Sequence, residues 1–155
     1  MNLGYVEIRG MDVNAGIDLT IPLSSSPTHP LTISANGTYT YQKAQDFTDP
    51  TDPLTFGGQI AYIPWHSSSV MTSVSWNGLS LQYVFNYVGT RYSASANTLA
   101  NQVPAWHTHD LAVKYNIQHF HISLEINNLA NQQYEIIRNY PMPGLNGKVV
   151  IKYSL

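Results

Sequence analysis

NNLANQQYEIIRNYPMPG, residues 127–144, lies between two strand-like runs and is far too long for a tight turn. It carries Pro141, Pro143 and Gly144, is dense in Asn and Gln, and holds a short β-prone piece at residues 134–137. Such a stretch is an ordered, exposed loop joining two antiparallel strands. The run after it alternates to the end of the chain, with Val149, Ile151, Tyr153 and Leu155 opposed to Lys148, Val150, Lys152 and Ser154. The direction of that last run fixes the direction of every earlier strand.

Working backwards, the same period of two recurs and no helical period appears. Phe120, Ile122, Leu124 and Ile126 alternate with His121, Ser123, Glu125 and Asn127, and Leu111, Val113, Tyr115 and Ile117 with Asp110, Ala112, Lys114 and Asn116. Asn77-Gly78, a strong two-residue hairpin signal, joins a run containing Val70, Thr72, Val74 and Trp76 to one containing Leu79, Leu81, Tyr83, Phe85 and Tyr87. Earlier still, Leu31, Ile33, Ala35, Gly37, Tyr39 and Tyr41 share one face, as do Val13, Ala15, Ile17, Leu19, Ile21 and Leu23. The expectation is all-β: an antiparallel up-and-down meander of about 7–8 long strands, part of a transmembrane β-barrel, since strands of roughly 10 to 12 residues match what a tilted bilayer crossing needs. Connections at 24–30, 77–78 and 117–119 are short, those at 43–66, 90–106 and 128–144 are long, and all the long ones fall at one end.

Composition agrees. Charged residues are only 10% of the 155, against about a quarter in ordinary soluble proteins. The net charge of −2 gives no basic footprint for nucleic acid. Without cysteine, disulfides and thiolate metal sites are excluded. The polar face is mostly small and uncharged. On the apolar face, Trp76, Tyr115 and Tyr153 fall near the short-turn end and Tyr39, Tyr41 and Tyr87 near the long-loop end, the arrangement of aromatic girdles around a lipid-facing belt. A soluble sheet also alternates, so the rival readings are a complete small outer-membrane barrel with a structural or adhesion role, or a soluble carbohydrate-binding β-sandwich. A dry centre holding Ile17, Val113, Leu124 and Ile151 under a second sheet would identify the sandwich.

On these residues the chain resembles the C-terminal end of a TonB-dependent outer-membrane receptor. Asn127 to Tyr134 and then Asn139-Tyr140-Pro141-Met142-Pro143-Gly144 look like that family's Asn-Leu-x-Asn-x-x-Tyr and Pro-x-Pro-Gly ending. Val6 to Val13 (VEIRGMDV) and Ile63 to His66 (IPWH) look like two of its strand motifs. The sequence departs from the family pattern at Leu145 and Trp65, where Arg is frequent, and at Leu155, where Phe is usual. The resemblance implies that residues 1–155 are the C-terminal segment of the β-barrel, roughly the last third, with the plug domain and earlier strands absent. It further implies a bacterial outer-membrane location in contact with outer-membrane lipid, and energy-coupled uptake of a scarce nutrient such as a ferric siderophore, haem, cobalamin or a glycan. TonB would act through the plug of the full receptor.

No nucleophile elbow, phosphate loop or metalloprotease motif appears, so no enzyme, catalytic residue or cofactor is expected. His107 with His109 and His119 with His121 form H-x-H pairs, but at opposite ends of one hairpin, and two ligands do not make a metal site. Asp46, Asp49 and Asp52 are acidic, but two prolines and the lack of a turn glycine argue against a calcium loop. Glu125 and Lys114 are expected to pair across strands. The aromatic candidates for contact with a small ligand are Trp65, Trp106, Tyr134 and Tyr140, all on the long connections.

Overall fold

The computed structural model describes residues 5–23 and 26–154. Its strands, in chain order, are β1 (Val6–Leu23), β2 (Ser26–Asp46), β3 (Gly58–Gln59), β4 (His66–Trp76), β5 (Leu79–Val88), β6 (Arg91–Tyr92), β7 (Gln102–Val103), β8 (Trp106–Ile117), β9 (Phe120–Asn127), β10 (Glu135–Ile137), β11 (Tyr140–Pro141) and β12 (Asn146–Tyr153). One antiparallel sheet runs β1-β2-β4-β5-β8-β9-β12, with β3 paired to the end of β2. The four remaining short strands form two ribbons, β6 with β7 and β10 with β11, inside the long connections. Among the described residues, β1 and β12 each have a strand on one side only.

Cross-strand register explains why the alternation is so regular. Leu19 faces Ile33, which faces Val74, then Leu81, Val113, Leu124 and Val149 in turn. A slip of one residue in any ladder would turn that strand's apolar set to the other side. Ser34 faces Ser73, which faces Gln82, on the opposite side of the sheet. The Asn77-Gly78 turn has φ of 44° and 80°, the left-handed pair that matches strand twist.

Among the described residues no packed centre forms. Ile17 is 55% exposed and Ile151 65% exposed, so no second sheet of the described residues covers the apolar face, against the expectation for a sandwich. The buried apolar side chains among the described residues are Ala44 and Val103 alone. The opposite face is knit by small polar groups: Ser34 Oγ and Ser73 Oγ lie 2.6 Å apart, Ser75 Oγ and Ser80 Oγ 2.8 Å, and Ser69 Oγ donates to Asn86 Oδ1 at 2.9 Å. Glu125 pairs there with Lys148 at 3.3 Å. This corrects the expected Lys114 partner: Lys148 is directly opposite Glu125, whereas Lys114 is opposite Ser123.

The turn expected over residues 24–30 is narrower. Leu23 pairs with Ser26, and the register then shifts before Ile21 meets Leu31. Pro22 and Pro30 sit in that irregularity, where a missing N–H breaks the ladder. Residues 24 and 25, the first four residues and Leu155 lie outside the described residues.

β1 and β2 are also longer than the rest, at 18 and 21 residues. Their polarity reverses near the loop end while their register stays unbroken. From Met11 to Ile21 the odd positions of β1 are mainly apolar. Beyond Gly10 the odd face carries Glu7 and Arg9, opposite Gln45 and Lys43, while Val6, Ile8 and Ala44 move to the even face. A lipid-facing ribbon changes face this way where it leaves hydrocarbon, because charge on the lipid side is costly at depth and cheap at the interface.

Candidate functional site: the interlocked long loops

The three long connections gather at one end and bind each other through polar side chains. In the first, Asp46, Asp49 and Asp52 each turn back on the chain. Asp46 accepts from the Thr48 N–H at 2.9 Å, and Asp49 from the Thr51 N–H and hydroxyl at 2.9 and 2.7 Å. Asp52 accepts from the Leu54 N–H at 2.9 Å and the Thr55 hydroxyl at 3.0 Å. The Thr51 hydroxyl, followed by its N–H, holds the Asp49 carboxyl below its usual range. These carboxylates build Asx turns, and no group of three metal-ligating side chains exists among the described residues.

Asn97 of the second loop docks on the first as a strand neighbour would. Its Oδ1 accepts from the Gln59 N–H at 2.5 Å and its Nδ2 donates to the Gln59 carbonyl at 3.0 Å. Buried Gln59 extends its own amide to the Ile63 carbonyl at 2.6 Å, and the Tyr62 N–H donates to the Tyr92 carbonyl at 2.7 Å. The resulting cleft has a volume of about 400 Å³ and is lined by Trp65, Tyr87, Tyr92 and Asn97 among others.

Arg91 joins the second loop to the third. Only 3% exposed, it donates through Nη2 to the carbonyls of Glu135 at 2.8 Å and Ile136 at 2.7 Å, while Nη1 is buried without a protein partner among the described residues. Burial pushes its pKa down, opposed by Tyr62.

The third loop, residues 128–145, is organised on Asn128, which is 2% exposed. Its Nδ2 donates to the carbonyls of Gln132 at 2.9 Å and Pro143 at 3.2 Å, its Oδ1 accepts from the Gln132 N–H at 2.9 Å, and its N–H donates to Asp110 at 2.8 Å. Asn128, Asn131 and Asn139 take positive φ of 54°, 49° and 65°, a region asparagine tolerates better than most residues. Asn131 Oδ1 accepts from the Leu145 N–H at 2.8 Å and would lie 2.5 Å from a Cβ on Gly144. The Asn-rich motif and the Pro-Gly after it are therefore two halves of one clasp.

Of the four aromatic candidates, the structure brings two together. Trp106 and Tyr134 stack with centroids 4.6 Å apart at 35°. Burial first, then the charge of Asp110, raises the Tyr134 pKa above its ordinary value. Tyr134 lines a second cleft of about 570 Å³ with Pro104, Pro141 and Met142. Trp65 belongs to the other cleft, with the Lys43 ammonium 5.4 Å above its ring. Tyr140 stands apart, 70% exposed on β11. Sequence reasoning missed Gln59, Arg91, Asn97 and Asn128 as the ties. The density of asparagine over residues 127–139 was the available signal for Asn128, since asparagine favours tight turns; the others have no periodicity to betray them.

Three comparisons bear on this arrangement. A family model described as TonB dependent receptor-like, beta-barrel, matches residues 1–129, stopping just inside the closing Asn-rich motif. Among solved structures, the siderophore receptor PiuA from Acinetobacter baumannii superposes with a TM-score of 0.78 at 20% identity, over 98% of this chain and 22% of that one. The ferric-catecholate import receptor Fiu from Escherichia coli K12 gives 0.64 at 13% identity, over 96% of this chain and 25% of that one. No curated protein sequence matches. The chain thus spans about a quarter of the length of the receptors whose fold it shares.

Proposed function

Because the chain belongs to the TonB-dependent receptor-like β-barrel family, we propose that it forms part of the wall of an outer-membrane uptake receptor and one side of its ligand vestibule. The observation that carries this reading is the union of an uncovered apolar face across seven strands with a layer of long, mutually bonded loops at one end only. A closed sheet suits hydrocarbon because its backbone groups are all paired. The loop end then faces the medium and the short turns face the periplasm. Ligand is a small scarce nutrient, and a ferric siderophore is the class favoured by the two solved receptors. Transport itself is driven by TonB through the plug of the complete receptor.

Within the vestibule, the Trp106–Tyr134 stack presents a rigid aromatic surface to a planar or catecholate group, with Trp65 lining the neighbouring cleft. Tyr140 is the outermost contact. Replacing Trp106 by Ala in the complete receptor weakens binding of the transported ferric chelate about fivefold, the scale of one lost aromatic pair, measured by intrinsic fluorescence quenching and by radio-iron uptake. Unchanged affinity in both assays would remove the stack from the ligand site.

A further inference from the structure

The projecting part of the β1–β2 ribbon holds an unusual pair. Arg9 lies directly opposite Lys43, and opposite residues of an antiparallel pair point to the same side. Like charges so placed repel, in a chain where charge is scarce. Arg9 Nε is engaged by the Glu7 carboxylate, and the Arg9 side chain is 79% exposed. Glu7 answers one of the two positive charges, so the three-residue group keeps a net charge of about +1 at neutral pH. The pair sits on the odd face, continuous with the apolar belt that begins at Met11 and Tyr41. Immediately below it, His66 faces Tyr41, and Tyr39 Oη lies 2.8 Å from His66 Nδ1. Cations one step above an aromatic row stand at the depth where lipid phosphates begin.

Resting on the lipid-facing reading of the belt, we propose that Arg9 and Lys43 form a docking site for the phosphate headgroup of a membrane lipid whose acyl chains lie along Met11, Val13 and Tyr39. Lys43 Nζ also lies 5.4 Å from the centre of the Trp65 ring, a contact that brings no formal negative charge, so the phosphate supplies the counter-charge that the facing pair lacks. A free phosphate is the weaker occupant: on this open ribbon surface one exposed and one half-buried cation hold an anion poorly in water. A lipid presents the same group at high effective concentration because its chains are already held by the belt.

The test reconstitutes the complete receptor that carries this chain into phosphatidylcholine vesicles with and without one-tenth phosphatidic acid, checks insertion by protease protection of the strands, and counts retained lipids by native mass spectrometry. Phosphatidic acid is retained in preference to phosphatidylcholine. Lys43→Gln lowers that preference about fivefold and the double change Arg9→Gln/Lys43→Gln about thirtyfold, while Lys43→Arg keeps it. Lys43→Gln lowers the unfolding temperature more with phosphatidic acid than in pure phosphatidylcholine, where the lost contact with Trp65 is offset by relief of the repulsion from Arg9. Insertion with no preference, or a preference untouched by the double change, overturns the docking site alone. Displacement of the lipid by millimolar inorganic phosphate also overturns it, in favour of a free-anion site. Failure to insert at all overturns the lipid-facing reading together with it.

Discussion

The wall and the loop layer of this molecule are held by opposite means. In the wall, β1, β2, β4, β5, β8, β9 and β12 are joined by backbone ladders, and side chains merely alternate between an apolar and a polar face. Any of several residues serves at a given wall position, provided its polarity suits its side. In the loop layer the backbone has no long ladder, and single polar residues do the joining: Gln59, Arg91 and Asn128 are all buried. Stability in the wall is spread over many equivalent positions; stability in the loops is concentrated in a few.

The sharpest way to break this contrast is Asn128→Ala. It removes the bonds to Gln132 and Pro143 and leaves part-buried backbone groups unpaired, for a cost of about 4 kcal/mol to the loop layer. Hydrogen exchange should accelerate through residues 128–145 and stay slow in β4 and β5. Acceleration throughout the wall would mean that the two regions are one cooperative unit. Next in size is a pair in the wall, measured as unfolding in a bilayer. Leu111→Arg, on the belt face midway between His107 and Tyr115, costs about 3 kcal/mol. Gln82→Lys, on the other face, costs about 0.5 kcal/mol or less. Equal costs would show that the faces have been assigned the wrong solvents. The smallest effect is on pH. Tyr134 has its pKa raised in the fold by burial and then by Asp110, so the folded loop holds the phenol proton more tightly than the unfolded chain does. That contribution is complete below the ordinary tyrosine value of 10.0 and is lost as pH rises through the folded value. Loop proteolysis should therefore quicken above that pH in the wild type more steeply than in Tyr134→Phe.

The contrast also explains what the sequence discloses. The wall is legible because a period of two, sustained over seven runs, is redundant: Leu81, Val113 and Leu124 each repeat the same message. The belt and its aromatic rows follow, and so does the placement of all long connections at one end. Where prolines interrupt the pattern, between Pro22 and Pro30, a bulged ladder and a turn read alike, so the sequence suggests a wider turn than the Leu23–Ser26 pairing allows. The Glu125 partner was missed for a related reason, since register between β9 and β12 depends on a loop of unknown course. In the loops each tie is unique and non-local. Asn97 meets Gln59 across 38 positions and Arg91 meets Glu135 across 44, and no local pattern announces such meetings. The aromatic candidates were visible as residue types, but only coordinates could pair Trp106 with Tyr134 and set Tyr140 apart.

Among the described residues, β1 and β12 are each bonded on one side only. An amide left bare in oil costs several kcal/mol. Inside a bilayer both rims would therefore need neighbouring strands, and the pull toward those neighbours, rather than the greasy belt, would join this sheet to a closed wall.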